Sequence, residues 1–452
     1  MYLDTIAAIA TPAGTGAIGV VRLSGPRALA ITQDVFPRRL LPRRVTFGRL
    51  TDPLTHQIVD EVMAVYLPGP QTYTGEDIVE VSCHGGMLPV QRTLELLLNH
   101  GARSAEAGEF TLRGYLAGRI DLAQAEAVMD VVSAQSNRAL QAALSTLHGD
   151  LSIRVRQARS QALDTLAYLT AAADFPDDGV GLEQVEAPLV AVLQTLTGLM
   201  ATAKEGLAVR EGVRTAIVGL PNAGKSSLLN RLLGWDRAIV SPQAGTTRDT
   251  LSETVAIDGI PFLLTDTAGI GTSTDTTEQL GVSRSHQEAA AAALLLFVVD
   301  SSRPLADDVT GLLRTLPNTP TLLVLNKADL PGPNLSSGWA SGFNGRFGAE
   351  QRVSALTGAG IDDLRCAMAS VMRGGTLGVE DGLLVTNPRH AAALREAQAA
   401  VVDALSALHK GTPADLVAID LTCAVHALGS ITGETASVDL LDRIFSRFCI
   451  GK

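Results

Sequence analysis

Hydrophobic and polar positions change rhythm twice along this 452-residue chain. Up to about residue 117, short apolar stretches of strand length, such as Glu61–Leu67 and Asp77–Ser82, are separated by glycine and proline turns. From about residue 120 the chain turns alanine- and leucine-rich, with Leu140, Leu144, Leu147 and Leu151 recurring at i, i+4, i+7 and i+11, the spacing of one helix face. The pattern continues through Leu163–Ala173 and Val185–Ala208, stops at Gly212, and returns after Gly374–Gly382 in Ala391–Leu408 and Leu416–Leu428. Between the two helical stretches lie apolar runs of strand length, Thr215–Val218, Ile260–Leu264 and Leu322–Leu325. The longest apolar run, Ala289–Val299, reads as a helix end, a turn and a buried strand, and is too short to span a bilayer.

This layout predicts an α/β and α protein. An N-terminal α+β domain occupies 1–117, and a helical domain is split into 118–211 and 375–452. A domain with a mostly parallel sheet, 212–374, is inserted between the halves, which pack together across it. Hinges at both junctions would let a state change in the insert move the helices. The alanine richness fits close helix packing and fits genome composition equally well.

The polar turns of the insert carry chemistry. Gly219-Leu-Pro-Asn-Ala-Gly-Lys-Ser226 has the spacing G-x-x-x-x-G-K-S between a strand and a helix. There, backbone N–H groups wrap phosphates and the helix dipole favours their charge. Asn222, Ala223, Gly224, Lys225, Ser226 and Ser227 are therefore candidate nucleotide contacts, with Lys225 reaching the β/γ-phosphates and Ser226 ligating magnesium. Asp266, Thr267, Ala268 and Gly269 end the second run, where an aspartate can hold magnesium through water and a glycine N–H can sense the γ-phosphate. Asn326, Lys327, Ala328 and Asp329 follow the third; Asp329 can accept guanine N1–H and the 2-amino group, which adenine does not offer. Ser354, Ala355 and Leu356 are placed to give backbone N–H groups to the guanine O6. Each segment alone reads as a strand end and an ordinary turn; four in this order indicate a GTP-binding domain. Many regulatory GTPases place a water-orienting glutamine after such an Asp-Thr-Ala-Gly run. Here the residue is Ile270, which cannot hydrogen-bond a water, and nothing singles out Arg248 as an arginine finger.

Asn222 and the loop Ser241, Pro242, Gln243, Ala244, Gly245, Thr246, Thr247 resemble the potassium-activated TrmE–Era–EngA group of GTPases. The resemblance implies a potassium ion held by Asn222, Ser241, Gln243 and Thr246, which neutralises charge developing on the phosphates. It makes Thr247 the second magnesium ligand beside Ser226. It also makes Glu278, in Glu278-Gln-Leu-Gly281, the residue that positions the attacking water; Asp275 is the other charged residue there. Gly271-Thr272 and Gln279 depart from the group's usual residues. The rest of the chain narrows the likeness to the tRNA modification GTPase family MnmE (TrmE). The run Asp4–Gly25, Tyr73-Thr-Gly-Glu-Asp77, His84-Gly-Gly86, Gly108-Glu-Phe-Thr111, Asp121–Ala127 and the closing Phe448-Cys-Ile-Gly-Lys452 all resemble that family.

By that resemblance the N-terminal domain is a folate-binding-like dimerisation module. Arg22, Glu80, Arg119 and Lys452 match contacts to a reduced folate, 5-formyl- or methylene-tetrahydrofolate; the family commonly has lysine where Arg119 stands, and arginine changes the geometry. Arg22 also reads as an exposed strand-end charge. Cys449 reads either as a small buried hydrophobe or as a residue with a chemical role. The resemblance implies a cytoplasmic homodimer with K+ and Mg2+ as cofactors. It acts on tRNA wobble uridine with the flavoprotein MnmG (GidA), which carries the FAD and takes the NADH, to add a carboxymethylaminomethyl-type group at C5. A ribosome-assembly GTPase and a folate-dependent aminomethyltransferase are the alternatives, the first lacking a reason for residues 1–117 and the second for the nucleotide motifs.

Composition changes little. The chain is 46% hydrophobic, has no opening that reads as a signal peptide, and its Cys83, Cys366, Cys423 and Cys449 lack metal-like spacing. A net charge of −11 is the wrong sign for a protein that coats nucleic acid. The small basic cluster Arg38, Arg39, Arg43, Arg44 reads as a solvated loop face.

Overall fold

The computed structural model describes residues 4–174, 183–234, 253–266, 288–304, 307–332, 347–373 and 383–452. They form two compact units, one of 1–129, 147–157 and 426–452, the other of 130–146 and 158–425. The fold is α/β and α, as the sequence predicts.

The first unit is built on a six-stranded sheet of β1 (Ile6–Ile9), β2 (Ile18–Ser24), β3 (Val45–Thr51), β4 (Ile58–Leu67), β5 (Ile78–His84) and β6 (Arg103–Ser104), in the order β3-β4-β5-β2-β1-β6. All pairs are antiparallel except β1 with β6. Alternation sorts the faces: Val21, Leu23, Val79 and Val81 join the core with α1 (Ala28–Val35) and α2 (Met87–Asn99). Arg22 and Glu80 point to the opposite face, where Ile18, Phe47 and Met63 are exposed. Over β1 that face is closed by Phe110 of α3 (Glu109–Leu116), packed on Ile6 and Ala8.

Arg113 of α3 is 2% exposed and ties this unit together. Its guanidinium bonds Asp4 Oδ1 and Glu109 Oε1 at 2.8 Å and Glu76 Oε2 at 3.1 Å. Glu109 also takes two bonds from Arg103, and Glu76 accepts from Ser24 Oγ. Burial works against the ionised Glu109, but the bonds from Arg103, Glu106 N–H and Arg113 outweigh it and hold its carboxyl below the usual range. α4 (Leu122–Ser133) starts with a reciprocal cap, in which Asp121 and Gln124 each accept the other's backbone N–H at 2.9 Å.

In the second unit the sheet runs β12-β11-β10-β7-β9-β8, with β7 (Val213–Val218), β8 (Glu253–Ile257), β9 (Ile260–Asp266), β10 (Leu294–Asp300), β11 (Thr321–Asn326) and β12 (Phe347–Arg352). Among the described strands only β8–β9 is antiparallel, a hairpin whose two turn residues, Asp258 (φ 53°) and Gly259 (φ 78°), both take the left-handed conformation such turns need. β10 and β11 read as continuous apolar runs because they are buried on both faces. Helices α5 (Asn137–His148), α6 (Asp150–Asp174), α7 (Glu183–Glu211), α8 (Lys225–Leu233), α9 (Asp307–Thr315), α10 (Ile361–Arg373), α11 (Pro388–His409), α12 (Ala414–Thr432) and α13 (Val438–Phe445) complete the described elements. α7 and α12 are long and apolar enough to cross a membrane, yet each buries a stripe in the protein's own core, including Val192 and Leu196 of α7 and Leu421 and Leu428 of α12.

One helix face differs from expectation. In α5 the buried stripe is Ala139, Ala142, Ala143 and Thr146, while Leu140 is 36% exposed. Ser136 Oγ bonds Gly259 O at 2.6 Å, so the β8–β9 hairpin lies close to the start of α5, and Ala139 and Ala142 share a core with Val255, Ile257 and Ile260 of that hairpin. Gly149 (φ 95°) then breaks the run, so Leu151 belongs to α6.

Arg113→Ala leaves Glu76 without its cation and Glu109 with Arg103 alone, and is expected to cost about 3 kcal/mol in chemical denaturation. Because the Glu109 pKa is lowered on folding, its contribution is complete above the unfolded value of about 4.3 and lost as pH falls through the folded one. Stability therefore drops on acidification below about pH 5, and Glu109→Gln flattens that drop.

Candidate nucleotide-binding site

Adjacency of β7, β10 and β11 brings their carboxyl ends together, the place where open α/β sheets bind ligands. The loop from Gly219 to Gly224 leaves β7 there and opens α8. Gly219 passes so close to β10 that a Cβ would lie 2.3 Å from Val298 O. At Gly224 (φ 91°) a Cβ would lie 2.2 Å from Asn326 Nδ2. Asn326, 2% exposed, donates from Nδ2 to Ala223 O at 2.9 Å and accepts the Ala355 N–H at 3.0 Å. One amide thus joins the phosphate loop to the loop expected to meet guanine.

Lys225 is 6% exposed, and its Nζ donates to Gly219 O and Leu220 O, both at 2.9 Å, at the mouth of the loop. Gly224 has no side chain to cap α8, the arrangement in which a helix start receives an anion. Asn222 takes φ 63°, which places this non-glycine residue in the left-handed region inside the loop. Asp266 ends β9 in register with Ile217 of β7, one residue before the last of that strand. Ser226 and Ser227 follow in the first turn of α8.

On the other side, Ala328 N–H donates to Val353 O at 3.1 Å and Val353 N–H to Leu325 O at 2.8 Å, so the Lys327–Asp329 turn and the Ser354–Leu356 turn are sewn together. Ser354 is fully buried and caps its own turn by accepting from Thr357 N–H at 3.0 Å. Arg231 of α8 donates to Ala355 O at 3.0 Å and also meets Leu356 O. Asp329 is exposed and open to a ligand. The structure therefore brings together Asn222, Ala223, Gly224, Lys225, Ser226, Asp266, Asn326, Lys327, Ala328, Asp329, Ser354 and Ala355. Ser241 to Thr247, Thr267 to Ile270, Asp275 and Glu278 lie outside the described residues.

Asp300 is a site residue that sequence reasoning passes over. It ends β10 directly opposite Asn326, and its Oδ2 accepts Lys327 Nζ at 2.6 Å. Ser302 adds its N–H at 3.0 Å and its hydroxyl at 2.6 Å. Burial opposes ionisation, but Lys327 and Ser302 outweigh it and keep the carboxyl below its usual range. Ser301 Oγ meanwhile donates to Asn326 O at 2.7 Å. The one signal in the chain is position: Asp300 stands at the end of an apolar run, as Asp266 and Asn326 do on theirs.

The residues matched to folate lie in the first unit. Arg22 and Glu80 are cross-strand partners on the open face, with Arg22 Nε and Nη2 both 2.8 Å from Glu80 Oε1. The Arg22 guanidinium lies 5.9 Å from the ring centroids of Tyr73 and Phe110. Lys452 stands near Arg22: burial lowers the pKa of its ammonium, Cys449 opposes that and Arg22 adds to it. Arg119 is bonded to Thr72 O at 2.9 Å, next to Tyr73. Cys449 is exposed, not a buried hydrophobe. The tail is seated by a bridge between Ala107 and Ile450 and by Gly451 (φ 98°), where a Cβ would lie 2.2 Å from Ile9 O.

Several motif residues turn out to hold the unit together. Tyr73 OH meets Thr111 Oγ1 at 2.8 Å, Asp77 accepts from Tyr66 OH and Gly69 N–H, and Gly108 lies against Phe445 O. His84 Nδ1 is 2.7 Å from Asp60, and Gly85 rests on the backbone of Gly16. A cavity of about 590 Å³, lined by Ile9, Pro12, Gly16, Gly86, Val90 and Ile450 among others, lies beside these glycines, and none of the four folate-matched side chains lines it.

Residues 122–449 match the MnmE helical domain, and residues 5–119 match the GTP-binding protein TrmE N-terminus. The chain belongs to the MnmE (TrmE) family of GTPases. It is 48% identical over 462 residues to the tRNA modification GTPase MnmE of Roseiflexus sp. (strain RS-1), covering 100% of both chains. It is 42% identical over 458 residues to that of Lactiplantibacillus plantarum, covering 99% of this chain and 98% of the relative. A crystal structure of an Aquifex aeolicus Era variant bound to GDP·AlF4⁻ is 30% identical, over 41% of this chain and 65% of that one, with a TM-score of 0.30.

Within this MnmE-family site, Asp300→Ala is expected to weaken guanine-nucleotide binding roughly tenfold, the size of one lost charge-assisted hydrogen bond, with kcat little changed. Lys327→Met in the Asp300→Ala background adds little more if the pair acts as a unit. Fully additive losses in nucleotide titrations would show that Asp300 does not act through Lys327.

Proposed function

We propose that this chain is a potassium-activated GTP hydrolase that acts in tRNA wobble-uridine modification. Its GTP cycle drives conformational change while the carbon chemistry runs elsewhere on the molecule. The observation that carries the reading is the Gly224–Asn326–Ala355 tie, which holds the phosphate loop and the guanine loop in one frame. On this reading Lys225 and the first-turn amides of α8 bind the β/γ-phosphates, and Asp329 with the Ala355 and Leu356 amides selects guanine. Ser226 and Thr247 would ligate magnesium, with Asp266 behind a water. The metal supplies charge for the phosphates and order for the β/γ-oxygens. Asn222, already in the left-handed conformation, would join Ser241, Gln243 and Thr246 around potassium. Glu278 orients the attacking water, since Ile270 has no group to do so.

A reduced folate bound by Arg22, Glu80, Arg119 and Lys452 is the proposed carbon source. Support comes from the charged cluster of Arg22, Glu80 and Lys452 beside Tyr73 and Phe110. Exposed Ile18, Val45, Phe47 and Met63 on the same open sheet face suit a homodimer. We further propose a cytoplasmic setting, MnmG as the flavoprotein partner, and domains at 1–117, 118–211 with 375–452, and 212–374.

Deleting the gene should remove the C5-modified wobble uridine from tRNA, read by nucleoside mass spectrometry; stalled ribosomal particles with normal tRNA would favour a ribosome-assembly GTPase instead. In purified protein, GTP hydrolysis should run much faster in potassium than in sodium at equal ionic strength. Asn222→Ala should abolish that difference with nucleotide binding kept, and Glu278→Ala should lower kcat roughly 10²-fold. Equal rates in both salts would exclude the ion's role. Calorimetry with a reduced folate should show weaker binding to Glu80→Ala, and unchanged affinity would misplace the pocket.

A further inference from the structure

Between Asp34 and Asp52 the chain has five arginines and no carboxylate, in a protein of net charge −11. Four of them, Arg38, Arg39, Arg43 and Arg44, precede the edge strand β3, and all four are exposed. Among the described residues none of the four forms an ion pair. Arg22, Arg49, Arg103, Arg113 and Arg156 of the same unit each face a carboxylate.

The loop that carries them is built, not loose. Phe36 and Leu40 are buried in the core on either side of Arg38 and Arg39. Pro42 bridges to Tyr66, Arg43 N–H donates to Tyr66 O at 2.7 Å, and Arg44 N–H donates to Leu41 O at 3.2 Å. The Arg38 side chain passes Gly48, whose Cβ would lie 3.2 Å from Arg38 Cδ. Arg43 has φ 57°, a conformation that asparagine or glycine would hold at less cost, and its Nη2 donates to Gln71 O at 2.9 Å. Charges that only guarded a sheet edge against pairing would sit on the strand. These sit in the loop ahead of it, on anchored backbone, so little ordering entropy is lost when they bind.

We propose that Arg38, Arg39, Arg43 and Arg44 form a docking surface for the ribose-phosphate backbone of the tRNA substrate. The inference rests on the tRNA-modification reading above and adds the surface that meets the RNA. Guanidinium forks on a fixed backbone, with no carboxylate opposite them, suit phosphate oxygens, and such contacts set register without reading sequence. The overall negative charge then keeps RNA off the rest of the surface and leaves this loop as the place it lands.

The test uses full-length protein and an unmodified, transcribed tRNA with a wobble uridine, titrated by fluorescence anisotropy over a salt series. Replacing all four arginines by alanine should weaken binding at least tenfold and flatten the dependence of log K on log salt by roughly 3–3.5 units if each meets one phosphate, at about 0.7–0.9 for each phosphate no longer neutralised. The four-lysine variant should recover most of the affinity. Potassium-stimulated GTP hydrolysis should be unchanged in both, which shows that they fold. Equal tRNA affinity and salt slope in wild type and the alanine variant overturn the proposal. So does a loss confined to a protein partner, which would make the loop a protein-binding surface. In cells, a deletion strain that lacks modified uridine but is fully restored by the alanine variant keeps the modification reading and rejects the surface. A deletion strain with normal tRNA rejects the reading itself.

Discussion

The second unit depends on one buried amide. Asn326 ends a strand whose Leu322–Leu325 are apolar and sealed on both faces, and it is itself buried, so its side chain has no water to turn to. It must find both a donor and an acceptor in the protein, and it finds Ala355 N–H and Ala223 O. A buried amide left unpaired costs about twice what a made hydrogen bond contributes net, so these two bonds tie both loops to the strand end. The glycine at 224 follows from that bond, because any Cβ would occupy the space of Asn326 Nδ2.

The first unit uses the same device with charge. Arg113 has three carboxylates around it, and burial makes each of them depend on the others. This explains why so many motif residues of the N-terminal region, Glu76 and Glu109 among them, bind each other and not a ligand. The pair that remains for chemistry, Arg22 and Glu80, lies on the opposite face of the sheet from the helices, where alternation along β2 and β5 puts it. Arg103 and Arg113 spend their charge on carboxylates of the fold, whereas the four arginines in the loop before β3 sit together with none opposite them.

The nucleotide motifs could be read from the chain because each is local: a glycine pattern, a strand end, a carboxylate with a defined set of donors to accept. Glycine spacing and an apolar run are enough to fix a strand–loop–helix, and the alternation of β2 and β5 likewise follows from residues two apart. The parallel sheet was legible for the same reason, since a strand buried on both faces shows as an unbroken apolar run.

Other features were settled only by distant parts of the chain meeting. Asp300 looks like any polar strand end until the parallel register of β10 with β11 sets it beside Lys327. The face that α5 buries meets the β8–β9 hairpin, 123 residues away at Ser136–Gly259, with Ala139 and Ala142 in its core and Leu140 left at the surface. Whether an arginine is a structural cation or a free one is equally invisible in sequence, because its partner is fixed by packing. The chain by itself determined the fold class, the long helical stretches and the strand–loop–helix of the phosphate loop, because those follow from local pattern. Tertiary structure decided which charges and which faces are spent on the fold, because desolvation and close packing act between residues that are neighbours only after folding.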